Sequence, residues 1–365
     1  PPVWLTENGH GRADADSCAT TNLRYGQEAA FARYLADVLT HFRDIGLPFD
    51  YVSPINEPEN AWDTPNQEGC RYANQDIVRC VRAVRAALDE AGLDTGLIIL
   101  ENANLYHLPD YDQLPEELQR KLLSEGYRFG GKYFEHMREV FNLPEIREAV
   151  LPIVASHSYT SEYREHLIPW RQPVKAAMAR YPGYTYWMSE FCLDTPRRDL
   201  GMEHALKLAR TVHFDLAHLD AAAWQWWTMV SGCDWTDGLL YIDYPEDGDF
   251  TNASFHTSKM LWALGHYSRF LRPGSVRVEL QGADDPDGLM ATAYLDAQGR
   301  PVVVAVNMGE QETLQIEGFP APAWNLHVTS DAPGDDLRAI PAQPADDSFI
   351  IPARSCVTFV SAAAT

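Results

Sequence analysis

The sequence predicts an α/β domain followed by an all-β domain. Three observations carry this. Between Asn22 and about Phe270, short apolar runs alternate with amphipathic runs of helical period. After Pro273 the helical period disappears, and β-branched runs follow one another between Gly, Pro and Asp clusters. No glycine-rich phosphate loop interrupts the pattern. The 365 residues are too many for one small module, and 45% of them are apolar, enough for a sizeable core.

The elements follow in order. Residues 27–44 read as a helix, with Phe31, Tyr34, Leu35, Val38, Leu39 and Phe42 on one face, and Gly46 and Pro48 ending it. Residues 49–55 read as a strand, and 74–91 as a helix with Ile77, Val81, Val84 and Leu88 inward. A short apolar strand at 97–100 precedes a helix around 129–141. A strand at 153–158, a helix at 173–179 and a strand at 185–188 come next. A helix at 203–216, a strand at 221–229 and a helix at 257–270 close the series. These strands read as buried on both faces. Two architectures fit, an open doubly wound sheet or a (β/α)8 barrel. Neither GxGxxG nor GxxxxGK[ST] is present, which disfavours the nucleotide-binding sheet, yet only five βα units are visible where a barrel needs eight. Beyond them, runs at 275–280, 289–295, 302–307, 313–317, 324–329, 349–351 and 355–360 suggest a β-sandwich or small barrel.

Composition excludes several classes. Lys and Arg number 29 against 52 Asp and Glu, a net charge of −23 that repels phosphate backbones, so nucleic acid is not an expected partner. No run reaches the ~18 apolar residues of a membrane span. The six cysteines form no CxxC and there is no HExxH, so no metal site is expected; GxSxG is missing too. Cys18 and Cys70 sit in loops leaving strand ends and are candidates for a disulfide.

Chemistry is expected where strands end. The strand at 49–55 runs into Asn56-Glu57-Pro58-Glu59, and that at 185–188 into Ser189-Glu190-Phe191. In a barrel, C-terminal strand ends build the active site, so Glu57 and Glu190 would face each other. Paired carboxylates are what glycoside cleavage requires. Most glutamates are solvated surface charges, but these two follow apolar and aromatic strands. His157 and Tyr159 end another strand, and Trp224, Trp226 and Trp227 a fourth; aromatic rings stack well on sugar C–H faces.

Asn56-Glu57-Pro58 and Trp187-Met188-Ser189-Glu190 resemble the acid/base and nucleophile strands of the (β/α)8 glycosidase clan. Residues 1–9, Pro-Pro-Val-Trp-Leu-Thr-Glu-Asn-Gly, are similar to the third-strand end of glycoside hydrolase family 30, and Trp224-Gln225-Trp226-Trp227 to its eighth. The resemblance implies a (β/α)8 TIM barrel with strands 4–8 present and strands 1–3 lacking, spanning residues 1–270. A C-terminal β-sandwich side domain would span 271–365. It implies a retaining glycosidase without cofactor, its partner a carbohydrate substrate, in a secreted or extracytoplasmic location. Glu57 becomes the acid/base and Glu190 the nucleophile. Asn56 would hold the sugar 2-OH, Trp4 and Trp227 would border the sugar, and Tyr159 and His157 would stand near the nucleophile. The stretch Asn66-Gln67-Glu68-Gly69-Cys70 resembles the endo-β-1,6-galactanase branch, with xylanase, β-1,6-glucanase and glucosylceramidase as alternatives. A catalytically inactive carbohydrate-binding relative is the rival of another class.

Overall fold

The computed structural model describes residues 1–13, 21–63, 67–124, 132–245, 250–319, 321–345 and 348–362. The chain forms two compact units. The first gathers Pro1–Ser161, Glu165–Glu190 and His218–Gln225; the second gathers Glu162–Arg164, Phe191–Ala217 and Trp226–Thr365.

The first unit is built on parallel strands taken in chain order. β1 (Tyr51–Val52) lies beside β2 (Gly96–Leu97), and β3 (Ile99–Asn102), β4 (Ile153–Ser156), β5 (Thr185–Met188) and β6 (Ala221–Trp224) form one sheet in that order. All these pairings are parallel. Sequential parallel neighbours are the pattern of a (β/α)8 barrel. Among the described residues the strands do not close into a ring. β3 and β4 are buried throughout, as their apolar first residues predict, and the burial extends to Glu101 and Asn102 at the end of β3. β1 departs from expectation: only Tyr51 and Val52 pair, and Phe49 and Tyr51 are about half exposed. Among the described residues its ladder has a neighbour on one side only. Gly96 answers to crowding at that pairing, because a Cβ there would run into Leu151.

Helices α1 (Glu28–Asp44) and α2 (Asn74–Glu90) pack on each other. Ile77, Val81, Val84 and Leu88 of α2 are buried as predicted. On α1 the buried stripe is Phe31, Ala32, Ala36 and Leu39, whereas Tyr34 is exposed and meets Trp4 edge to face. α3 (Glu116–Ser124) has no counterpart in the sequence reading. The helix expected at 129–141 is a single π turn at Met137–Phe141 followed by α4 (Pro144–Ala149); 125–131 lie outside the described residues. α5 (Arg171–Met178) precedes β5.

The second unit holds α6 (Met202–His218) except its last residue. It also holds a small sheet of β7 (Val230–Ser231), β8 (Leu240–Asp243) and β9 (Ser254–Thr257), then α7 (Lys259–Ser268). Eight residues beyond Ser268 the all-β part begins. β10 (Val276–Val278), β11 (Leu289–Leu295), β12 (Pro301–Asn307), β14 (Ala323–Thr329), β15 (Arg338–Pro344) and β17 (Ser355–Ser361) form a six-stranded antiparallel sheet ordered β10-β11-β12-β17-β14-β15. β13 (Glu312–Leu314) pairs with β16 (Phe349–Ile351). Alternation decides the two faces. Ala291, Ala293, Val303, Ala305, Trp324, Leu326, Val357 and Phe359 join Phe349 and Ile351 in one apolar core, the β-sandwich. The opposite face meets α7, where buried His266 places Nδ1 2.8 Å from Thr358 Oγ1 and Nε2 2.9 Å from Thr329 Oγ1. β15 was not expected: Arg-Ala-Ile-Pro-Ala-Gln-Pro lacks strand composition, and an edge position tolerates its prolines.

Candidate active site

Parallel strands deliver their C-terminal ends to one edge, and the ladder runs past them. The backbone N–H of Glu57 donates to Glu101 O (2.7 Å), that of His157 to Asn102 O (2.7 Å), that of Ser189 to Ser156 O (3.0 Å) and that of Gln225 to Met188 O (2.9 Å). These bonds fix the residues just beyond each strand. Ser53, Ile55, Asn56, Ile98, Glu101, His157, Ser189, Glu190 and Gln225 line one pocket of about 150 Å³ there.

The centre of the site is His157, 1% exposed. Its Nδ1 lies 3.2 Å from Glu57 Oε1 and 3.6 Å from Glu190 Oε1, and its Nε2 lies 3.6 Å from Glu101 Oε2. Burial by itself would strip the proton from this ring. Hydrogen bonds to Glu101 and Glu57, with the charges of Glu190 and Glu57, overcome it and raise the pKa to about 10. The carboxylates around the ring thus favour its protonated form. An oxygen of Glu57, an oxygen of Glu190 and a nitrogen of His157 lie within 4.8 Å of one another.

The two acids are held differently. Glu57 is buried; Asn60 Nδ2 donates to its Oε2 (2.7 Å), and Trp62 Nε1 to its backbone carbonyl (3.1 Å). Glu190 is partly exposed and accepts from the Tyr159 hydroxyl (3.1 Å). Burial raises the Glu190 carboxyl above the usual range; the His157 charge and the Tyr159 hydrogen bond oppose this, and the Glu57 charge adds to it. Glu57 and Glu101 both sit at positive φ, +45° and +53°.

A second buried cluster lies on the same turn. Glu59 Oε1 accepts from the Ala103 N–H (2.7 Å) and Oε2 from Asn102 Nδ2 (3.1 Å), and His107 Nδ1 stands 3.2 Å from Oε1. Burial works against this charge, but His107, His136 and the hydrogen bonds hold the carboxyl at about 2. His136 is driven by burial down to about 3 despite Glu59, so it is neutral and takes the Asn102 amide at Nδ1 (2.6 Å).

Of the residues singled out by sequence, Glu57, Glu190, His157 and Tyr159 come together, and Asn56 lines the pocket. Trp4 is 66% exposed, set against Tyr34. Trp227 belongs to the second unit and is 54% exposed. Cys18 lies outside the described residues; Cys70 is buried, its Sγ 3.3 Å from Thr21 Oγ1. Sequence reasoning missed Asn60, Glu101, Ser189 and the Glu59 cluster. Glu101 carried the same signal as the other acids, a charge directly after an apolar strand.

Residues 1–241 match the family described as O-Glycosyl hydrolase family 30, about two thirds of the chain. The chain belongs to glycoside hydrolase family 30. Residues 274–359 match the glycosyl hydrolase family 30 beta sandwich domain, in agreement with the second unit's all-β part. As a family 30 protein it takes a carbohydrate as its substrate class. It is 23% identical to glucuronoxylanase XynC of Bacillus subtilis over 377 residues, covering 99% of this chain and 71% of that protein. It is 22% identical to the lysosomal acid glucosylceramidase of Mus musculus over 354 residues, covering 90% and 60%. Among solved structures, a conserved exported protein from Bacteroides fragilis superposes with a TM-score of 0.80 at 26% identity, covering 98% of this chain and 74% of that one. No helix among the described residues is long and apolar enough to cross a membrane.

Proposed function

We propose that this family 30 chain is a retaining β-glycosidase of polysaccharides, with Glu57 as general acid/base and Glu190 as nucleophile. One observation carries the reading: the two acids bring oxygens within 4.8 Å of each other. Retaining pairs stand ~5–5.5 Å apart, whereas inverting pairs leave ~6.5–9.5 Å for a water. Glu190 attacks the anomeric carbon as Glu57 gives its proton to the leaving oxygen. The glycosyl ester on Glu190 is then opened by a water that Glu57 deprotonates, and the configuration is restored. Asn56, exposed at the pocket, serves the sugar 2-OH, and Tyr159 steadies the nucleophile. Trp4 and Trp227 are assigned to sugar stacking on the family resemblance alone. In this reading residues 1–270 form the catalytic part and 271–365 the side domain, and the protein works outside the cytoplasm.

For the sugar we infer β-1,6-galactan, from the stretch Asn66-Gln67-Glu68-Gly69-Cys70 beyond the acid/base. The test is product analysis on β-1,6-galactan, glucuronoxylan and β-1,6-glucan, with proton NMR of the first product formed. Galactan cleavage giving the β-anomer first is expected. Appearance of the α-anomer first removes the retaining assignment, and cleavage of xylan or glucan alone removes the galactan one.

A further inference from the structure

We propose that Glu101 is the positioning residue of this site: its carboxylate anchors Nε2 of His157, so that the ring's other N–H is fixed toward the two acids. This rests on the assignment of Glu57 and Glu190 given above. Three contacts converge on Glu101. Its backbone carbonyl accepts the N–H of Glu57 (2.7 Å). Its carboxylate accepts the hydroxyl of Ser189, the residue before Glu190. The same oxygen, Oε2, faces His157 Nε2 at 3.6 Å. One residue thus ties together the backbone of one acid, through its own carbonyl, and, through its carboxylate, the strand end of the other and the ring between them.

The geometry gives this consequence. An imidazolium has two N–H groups on opposite sides of the ring. With Nε2 engaged by Glu101, Nδ1 has a single direction, and it points at Glu57 Oε1 (3.2 Å) with Glu190 Oε1 beside it (3.6 Å). Without that anchor, a ring flip would turn a C–H toward the acids. The titratable groups facing the ring are Glu57 beyond β1, Glu101 in β3, Glu190 beyond β5 and Tyr159 on its own segment, ring centroids 5.7 Å apart. Glu101 is the buried acid of the three that takes no part in the proposed bond changes. It acts through His157, as the partner carboxylates of other functional histidines do.

The test uses the whole chain labelled with nitrogen-15 in histidine, with the His157 ring nitrogens followed by NMR against pH. In the unaltered protein both nitrogens should stay protonated to about pH 9, in keeping with a cation flanked by three carboxylates. Glu101→Gln, which keeps shape and loses charge, should bring the midpoint down by more than about one pH unit. It should lower kcat on an aryl β-galactoside by roughly 10–100-fold with KM nearly constant. Glu101→Asp should recover part of both. Ser189→Ala, which removes only the hydroxyl holding Glu101, should move the midpoint the same way by less. An unmoved midpoint in Glu101→Gln overturns the proposal, and so does a moved midpoint with unchanged kcat. The titration needs no substrate. An inactive unaltered protein would therefore sink the glycosidase reading while the NMR still decides whether Glu101 sets the state of His157.

Discussion

Glu59→Gln tests how the turn bearing Glu57 is held. Glu59 is buried and its carboxyl is held at about 2, against 4.5 for an ordinary glutamate. Each pKa unit of difference between folded and unfolded states is worth about 1.4 kcal/mol, so the charge contributes on the order of 3 kcal/mol. The sign follows from the depressed value: this stability is fully present above the unfolded pKa near 4.5 and is lost as pH falls toward 2. Gln keeps the shape, loses the charge, and turns an amide N–H toward Asn102 or Ala103. At pH 7 the variant should be less stable by roughly 3 kcal/mol, and the gap should close between pH 5 and pH 2. His136 also titrates low, at about 3, so the comparison is made at each pH against the parent protein. The assay is hydrogen exchange of the Ala103 amide, which Glu59 binds directly, together with urea unfolding of both proteins. A gap that stays constant from pH 7 to pH 3 would refute the reasoning, because the contribution would then be packing and not charge.

Four further outcomes are expected. Glu190→Ala should abolish turnover of every substrate. Glu57→Ala should lose about 10²–10⁴-fold on polymer and much less on activated aryl β-glycosides, with azide restoring turnover and giving the β-glycosyl azide; chromatography of the azide product checks this. Tyr159→Phe removes a hydrogen bond that favours ionised Glu190, so the acid limb of kcat/KM should move to higher pH. Trp324→Ala empties the sandwich core at a residue 1% exposed and should cost about 3–5 kcal/mol, read by denaturant unfolding of the second unit.

The strand ends were legible because chemistry was written beside apolar runs: Asn56-Glu57-Pro58 after one, Ser189-Glu190 after another. Period alone gave α2, α6 and β11 within two residues of their ends. What stayed hidden depended on long-range pairing. His107 and His136 look like ordinary polar residues until β3 and the Glu57–Glu59 turn are brought together. Tyr34 followed the helical stripe of α1 but stands outside its packed face. β1 reads as a full-length strand, yet pairing across its backbone decides how much of it is extended, and only two residues find a partner.

The left-handed backbone at Glu57 and Glu101 places a demand on evolution as well as on chemistry. A side chain with a Cβ is uncomfortable at φ of +45° and +53°, and glycine would relax both sites. Selection for a sturdier fold alone would therefore drift toward glycine at these two positions, and would lose both acids in doing so. Keeping glutamate there means accepting local tension at the junctions that bring the acids together. Variants gathered by screening for heat resistance alone should accordingly be checked at residues 57 and 101 first.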